Sequence, residues 1–92
     1  MNSKIETYIG FAIKKGAVVF GCDNIKKCKK RVHLLLATES LSANSLEVIA
    51  ACAEKFGCKV LKIEDYESLQ KRNCKALAIC DKSLAEAIQN VK

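Results

Sequence analysis

"VHLLLA", Val32 to Ala37, is the run on which the architecture turns. Its apolar residues are almost unbroken over a strand's length, a pattern that belongs to a strand covered on both faces. Three shorter runs resemble it. "AVVF", Ala17 to Phe20, ends at Gly21; "KVLKI" spans Lys59 to Ile63; "ALAIC" spans Ala76 to Cys80. Helical periodicity fills the gaps between them. Ile5, Tyr8, Ile9, Ala12 and Ile13 predict a helix from about Lys4 to Lys15, with Gly16 as its C-terminal cap. Cys22, Ile25 and Cys28 would face inward from a second helix, Cys22 to about Lys30. Asn44 followed by Glu47 resembles a capping box and predicts a third helix from about Ser45 to Phe56, closed by Gly57. Asp65 can cap a short helix carrying Tyr66 and Leu69 inward. Asp81 or Ser83 starts the last helix, with Leu84, Ala87, Ile88 and Val91 at helical spacing. The order α-β-α-β-α-β-α-β-α argues for an α/β fold with helices on both faces of a four-stranded sheet.

The composition sets the bounds. The 92 residues make one domain, 1–92, long enough to bury a single core. Half are apolar and 28% charged, which is a globular balance; there is no proline and only four glycines, so no linker or low-complexity tail is expected. No apolar run approaches membrane-spanning length. "MNSKIETYIG" carries charges inside a helical pattern and is not a secretory signal, which makes the cytoplasm the expected compartment. Sixteen Lys and Arg against ten acids give a net charge of +6. A small basic domain suggests a polyanionic partner, nucleic acid above all, and an ordinary lysine-rich surface explains the charge equally well. The aromatics are only Tyr8, Phe11, Phe20, Phe56 and Tyr66, so a platform for base stacking is not expected.

The six cysteines, Cys22, Cys28, Cys52, Cys58, Cys74 and Cys80, form three sequence pairs with five residues between members. Zinc ligands usually stand closer, and no Cys-x-x-Cys motif is present. On one helix, Cys22 and Cys28 would point about 120° apart. These thiols are therefore expected to act as small apolar residues in a reduced core, with no metal and no cofactor.

Catalytic raw material is sparse. The single histidine, His33, opens an apolar strand, where a structural role is commoner than a catalytic one. Glu39, Glu64 and Asp65 fall at strand ends, where α/β sites often form, but caps and solvated turns explain them more simply. The scattered glycines make no phosphate-binding loop. The strand–Gly21–helix corner carries more. Glycine lets a ligand approach the backbone closely, and the first N–H groups of a helix are unpaired. Asp23 and Asn24 stand at the mouth of that helix, where they could meet base edges, or serve only as an ordinary cap. Lys27 follows on the same side, and Lys26, Lys29, Lys30 and Arg31 extend the charge. A second basic cluster, "QKRNCK", Gln70 to Lys75, precedes the last strand and could converge on the Gly21 corner; Lys14 and Lys15 could join them.

"YIGFAIKKGAVVFGCDNIKKCKK", "VHLLLATESLSANSLEVIAACAEKFGCKVLKI" and "LQKRNCKALAICDKSLAEAI" together resemble the ribosomal protein L-seven-Ae/L-thirty-e superfamily, and most of all its small bacterial YlxQ-type branch. The resemblance covers almost the whole chain. It implies a three-layer α/β/α sandwich with a mixed four-stranded sheet, and binding of kink-turn or kink-turn-like RNA. The family motif reads Gly, any residue, Asn, Glu, an apolar residue, any residue, Lys; here Gly21, Cys22, Asp23, Asn24, Ile25, Lys26 and Lys27 stand at those positions. Asp23 replaces the usual Asn and Asn24 the usual Glu. Family members also carry glycines in the loop after Leu69, where this chain has Gln70 and Cys74 around Lys71, Arg72 and Asn73.

The expectation is thus a non-enzymatic RNA-binding protein of ribosomal type, with the ribosome as one candidate setting. The implied contacts are Gly21 and Cys22 on the RNA backbone, Asp23 and Asn24 on base edges, and Lys27, Lys30, Lys71 and Arg72 on phosphates. The departures at Asp23, Asn24 and Gln70 support an alternative, a protein–protein interaction module on the same fold. A third reading is thiol or metal chemistry, with Cys22 at a helix start as its candidate.

Overall fold

A computed structural model describes residues 4–71 and 74–91. Along the chain it places α1 (Lys4–Lys15), β1 (Val18–Phe20), α2 (Cys22–Lys27), β2 (Leu34–Thr38), α3 (Ala43–Phe56), β3 (Lys59–Ile63), α4 (Glu67–Lys71), β4 (Ala76–Ile79) and α5 (Lys82–Val91). The strands form one mixed sheet in the order β1-β4-β2-β3. β2 and β3 run parallel, Leu34 opposite Lys59, and β4 is antiparallel to both β1 and β2.

β2 is the central strand that its sequence demanded. All five of its residues are buried, and successive side chains point to opposite faces. Leu34 and Leu36 join Leu77, Ile79 and Ile63 in a core beneath α1 and α5, with Ile5, Ile9, Ala12, Ala85 and Ile88 from those helices and Leu69 from α4. Leu35, Ala76 and Ala78 face the other way, against Ile25 of α2 and Ile49, Cys52 and Ala53 of α3. Three layers follow, α/β/α, as expected. Each fully buried leucine in β2 contributes about 1.5–3 kcal/mol of transfer free energy.

The helix ends show which local signals prevailed. α1 closes as its pattern predicts: the Gly16 and Ala17 amides donate back to the Ile13 and Ala12 carbonyls at 3.0 and 2.9 Å. Gly57 closes α3 with φ 68° and ψ 34°, a left-handed conformation that glycine adopts at little cost. The start of α3 differs from the expected capping box. Ser42, not Asn44, is the cap; its Oγ accepts the Ser45 amide at 3.2 Å, and the helix begins at Ala43. α2 ends at Lys27 rather than Lys30, with Cys28 already extended at φ −64° and ψ 127°. The chain must reach the sheet here, and the His33 amide donates to the Ile79 carbonyl at 2.9 Å just ahead of β2. That pairing ends the helical spacing of Cys22, Ile25 and Cys28 early, and β2 runs Leu34–Thr38 where the apolar run predicted Val32 to Ala37. The Asp65 carboxylate accepts a hydrogen bond from Ser40 Oγ at 2.8 Å just ahead of α4. Asp81 does cap α5, accepting the Leu84 amide at 2.9 Å.

Candidate nucleic-acid interface

Strand direction sorts the loops onto two ends of the sheet. β1, β2 and β3 all point the same way, because β1 and β2 are both antiparallel to β4 and β3 is parallel to β2. Their carboxyl ends deliver Gly21, Glu39 and Glu64 to one end, where β4 begins after Lys75. In open α/β sheets, ligands bind outside the carboxyl ends of strands.

Gly21 holds this end together. Its amide donates to the Ala76 carbonyl at 2.9 Å, and its carbonyl accepts the Ile25 amide at 3.0 Å. Its backbone, φ 85° and ψ 147°, lies where a side chain is strained. A Cβ added there would meet no atom within 4 Å, so the requirement is conformational and the space above the corner is open. No side chain caps α2. Asn24 turns back instead, and its Nδ2 donates to the Phe20 carbonyl at 2.9 Å. A carbonyl only accepts, so this bond fixes the amide's orientation and leaves Oδ1 pointing away from it. Asp23 is exposed beside it.

Gly21, Cys22, Asp23 and Asn24 line a hollow of about 420 Å³ together with Leu41, Ser45, Lys75 and Ala76. A second hollow of about 250 Å³, lined by Ser40, Asp65, Gln70, Cys74 and Lys75, adjoins it through the shared lysine. Hydrogen bonds stiffen its wall. Thr38 Oγ1 and Ser40 Oγ lie 3.2 Å apart, Ser40 donates to Asp65, and Gln70 Nε2 donates to the Asp65 carbonyl at 2.7 Å. Gln70 thus clamps the turn that leads into α4. The Thr38 amide donates to the Lys75 carbonyl at 2.9 Å, which fixes the backbone that carries this lysine between the two hollows.

The Gly21 corner and the end of the "QKRNCK" cluster therefore meet in space, through Lys75. Sequence reading counted Lys75 only as the tail of that cluster, and nothing in the sequence pointed to Leu41, Ser40 or Ser45 as neighbours of the corner. Lys27 is exposed at the last turn of α2, on the corner's side of the helix by spacing. Lys71 is exposed on α4, 3.7 Å from Glu67 one turn earlier. Arg72 lies outside the described residues.

The other expected cations go elsewhere. Lys30 follows α2 back to the far end of the sheet, where its charge acts on the Cys80 thiol. Lys15 pairs with Asp81 at that same far end. This lysine, together with the bond from the Leu84 amide, holds the Asp81 carboxyl below the usual carboxylate range. Lys14 and Lys15 thus end α1 away from the Gly21 corner. His33 is part-buried there and serves β2 through its backbone.

Among the described residues there is no group of three or more side chains suited to hold a metal. Nor is any helix among them long and apolar enough to cross a membrane. The sequence matches no family model and no curated protein. The fold has solved counterparts. The structure of a protein with unknown function from Bacillus halodurans C superposes with a TM-score of 0.85 over 98% of this chain and 97% of that one. The two share 10% sequence identity, so the likeness is one of fold.

Proposed function

We propose that this protein is a non-enzymatic, cytoplasmic RNA-binding protein of the kink-turn-binding, ribosomal type, which grips its RNA at the end of the sheet where Gly21 and Lys75 meet. One observation carries the reading: residues 21–24 and Lys75, from opposite halves of the chain, line one open hollow. The sequence resemblance to the L-seven-Ae/L-thirty-e superfamily and the net charge of +6 support it. Gly21 and Cys22 offer backbone to the RNA, and Asn24 offers Oδ1 to a base amino group. Lys75, Lys27, Lys71 and Arg72 supply charge for phosphates. Asp23 accepts a hydrogen bond from a base edge, since a phosphate would be repelled there.

Binding to a kink-turn oligonucleotide, followed by fluorescence anisotropy over a salt series, tests this. The log–log slope should be about −0.7 to −0.9 per phosphate neutralised, and Lys75→Ala should make it shallower by roughly one such unit. Asn24→Ala should erode the preference for kinked over straight RNA. Equal affinity for both RNAs with the native protein would overturn the kink-turn assignment.

One observation favours the second reading, a protein-interaction module. A largely apolar hollow of about 440 Å³ lies between α2 and α3, lined by Val48, Ala51 and Cys52 with Lys26, Asn44, Glu47 and Lys55 around them. No RNA binding at low salt, together with a protein complex lost on Val48→Asp, would select it.

A further inference from the structure

α2 and α3 meet twice. Their first turns come together at the Gly21 corner, where residues 22–24 and Ser45 line one hollow. Further along, the Lys55 ammonium, in the last turn of α3, donates to the Lys26 carbonyl of α2 at 3.3 Å. The apolar hollow of about 440 Å³ spans the interval. Asn44, next to Ser45, lines it at one end of α3, and Lys55 lines it at the other, with Lys26 across from it. The corner hollow and this one therefore follow each other along α3. Val48, Ala51 and Cys52 supply the apolar lining. Lys26 and Lys55 are exposed, and among the described residues neither is held in an ion pair. The Lys26 carbonyl takes only one of the three donors on the Lys55 ammonium. Glu47 also lines the hollow, eight positions before Lys55, 55 less 47. That spacing is about 12 Å along a helix, far enough for salt to screen Glu47 from the two cations.

We propose that the α2–α3 hollow binds an unpaired nucleotide in a single-stranded tail of the RNA gripped at the Gly21 corner. The proposal rests on the RNA-binding function assigned to that corner and extends it along α3. The base lies against Val48 and Ala51, as apolar side chains flank bases taken out of a stack. Its flanking phosphates fall to Lys26 and Lys55, whose charges no acid neutralises. The Glu47 carboxylate accepts a hydrogen bond from an exocyclic amino group on the base edge. The shape of the lining favours RNA over a protein helix. Three small apolar side chains suit one flat group, whereas a docking helix needs a run of anchors at i, i+3, i+4 and i+7.

Fluorescence anisotropy with the full chain tests this. The probes are a blunt kink-turn oligonucleotide and four versions of it, each with five unpaired adenosines on one of its strand ends. One tailed version should bind about tenfold tighter than the blunt RNA, and a complementary strand annealed to the tail should abolish the gain. The salt slope of that version should be steeper by about 1.4, two more single-strand phosphates at roughly 0.7 each. Lys55→Ala and Val48→Asp should each remove the gain and leave blunt binding unchanged, whereas Lys75→Ala should weaken both RNAs. Lys55 is exposed, so its variant reads the site even if Val48→Asp fails to fold. Equal affinity for blunt and tailed RNAs would overturn the proposal and leave the grip at Gly21 standing. A gain that survives Lys55→Ala would overturn it as well, and so would a protein complex formed through Val48 with no effect of any tail. Failure of every RNA to bind would remove the kink-turn reading and this one together.

Discussion

At one end of the sheet, β1 runs into Gly21 and β4 starts after Lys75, and two adjoining hollows open between them. At the other end, β1 starts after Ala17 and β4 runs into Cys80. There Lys15 pairs with Asp81, and Asp81 caps α5. At the first end Asp23 and Lys75 face solvent; at the second Lys15 and Asp81 are held in mutual contact. Both ends draw on the same four strands, so the difference lies in how each loop's polar groups are spent. A free Asp23, the Asn24 Oδ1 and Lys75 are groups a partner can take over. Paired Lys15 and Asp81 are groups that hold α1 to α5.

The largest effect is expected where the two ends share support. Leu36 is fully buried in the middle of β2. Leu36→Ala should cost about 2–5 kcal/mol, measured by urea unfolding. A cost below that range would mean that the central strand does not couple the two ends.

Glycine substitutions sharpen the contrast between the ends. At Gly21, with φ 85° and ψ 147°, alanine should cost about 1–3 kcal/mol. At Gly57, which precedes β3 at the closed end and sits in the ordinary left-handed region, alanine should cost about 1–2 kcal/mol. Neither added Cβ meets a neighbour, so backbone conformation alone sets the difference. The reverse order in thermal unfolding would show that the open corner relaxes.

Much of this arrangement was legible in the sequence, for local reasons. α1 and β3 have the limits that periodicity and apolar runs imply, and β1 starts one residue later, at Val18, whereas β3, an edge strand, buries only Ile63. Where two local signals competed, sequence reading had no means to choose. Ser42 prevails over Asn44 as a cap because its hydroxyl reaches the Ser45 amide, and both residues are good cap types. Non-local facts were out of reach. Lys15, Lys30 and Lys75 all looked like members of one basic surface, and only the antiparallel insertion of β4 between β1 and β2 divides them.

A smaller effect is expected from acid at the closed end. Lys15 and the Leu84 amide depress the Asp81 carboxyl below its ordinary value of 3.8. The ionised form is therefore favoured in the folded state. The stability this contributes is present above the unfolded value and is lost as pH falls through the lower folded value. Asp81→Ala should lower the thermal midpoint at pH 7, and the gap from the native protein should close as pH falls well below 4. Asp81→Asn should lie between the two, because an amide still caps a helix but no longer pairs with Lys15.

The smallest effect on stability is expected at Lys71, and its smallness is what makes it useful. Glu67 lies 3.7 Å from it, and both side chains are more than three-quarters exposed. Such a pair contributes about 0.3–0.5 kcal/mol, so Lys71→Ala should leave the unfolding curve almost unchanged. Any loss of RNA affinity in that variant then reports a lost phosphate contact and not a weakened α4. Lys15→Ala supplies the opposite pattern, a measurable loss of stability with RNA affinity preserved. If Lys15→Ala weakens RNA binding as much as Lys71→Ala does, the charges of the two ends act together on the ligand, and the division between them is one of packing alone.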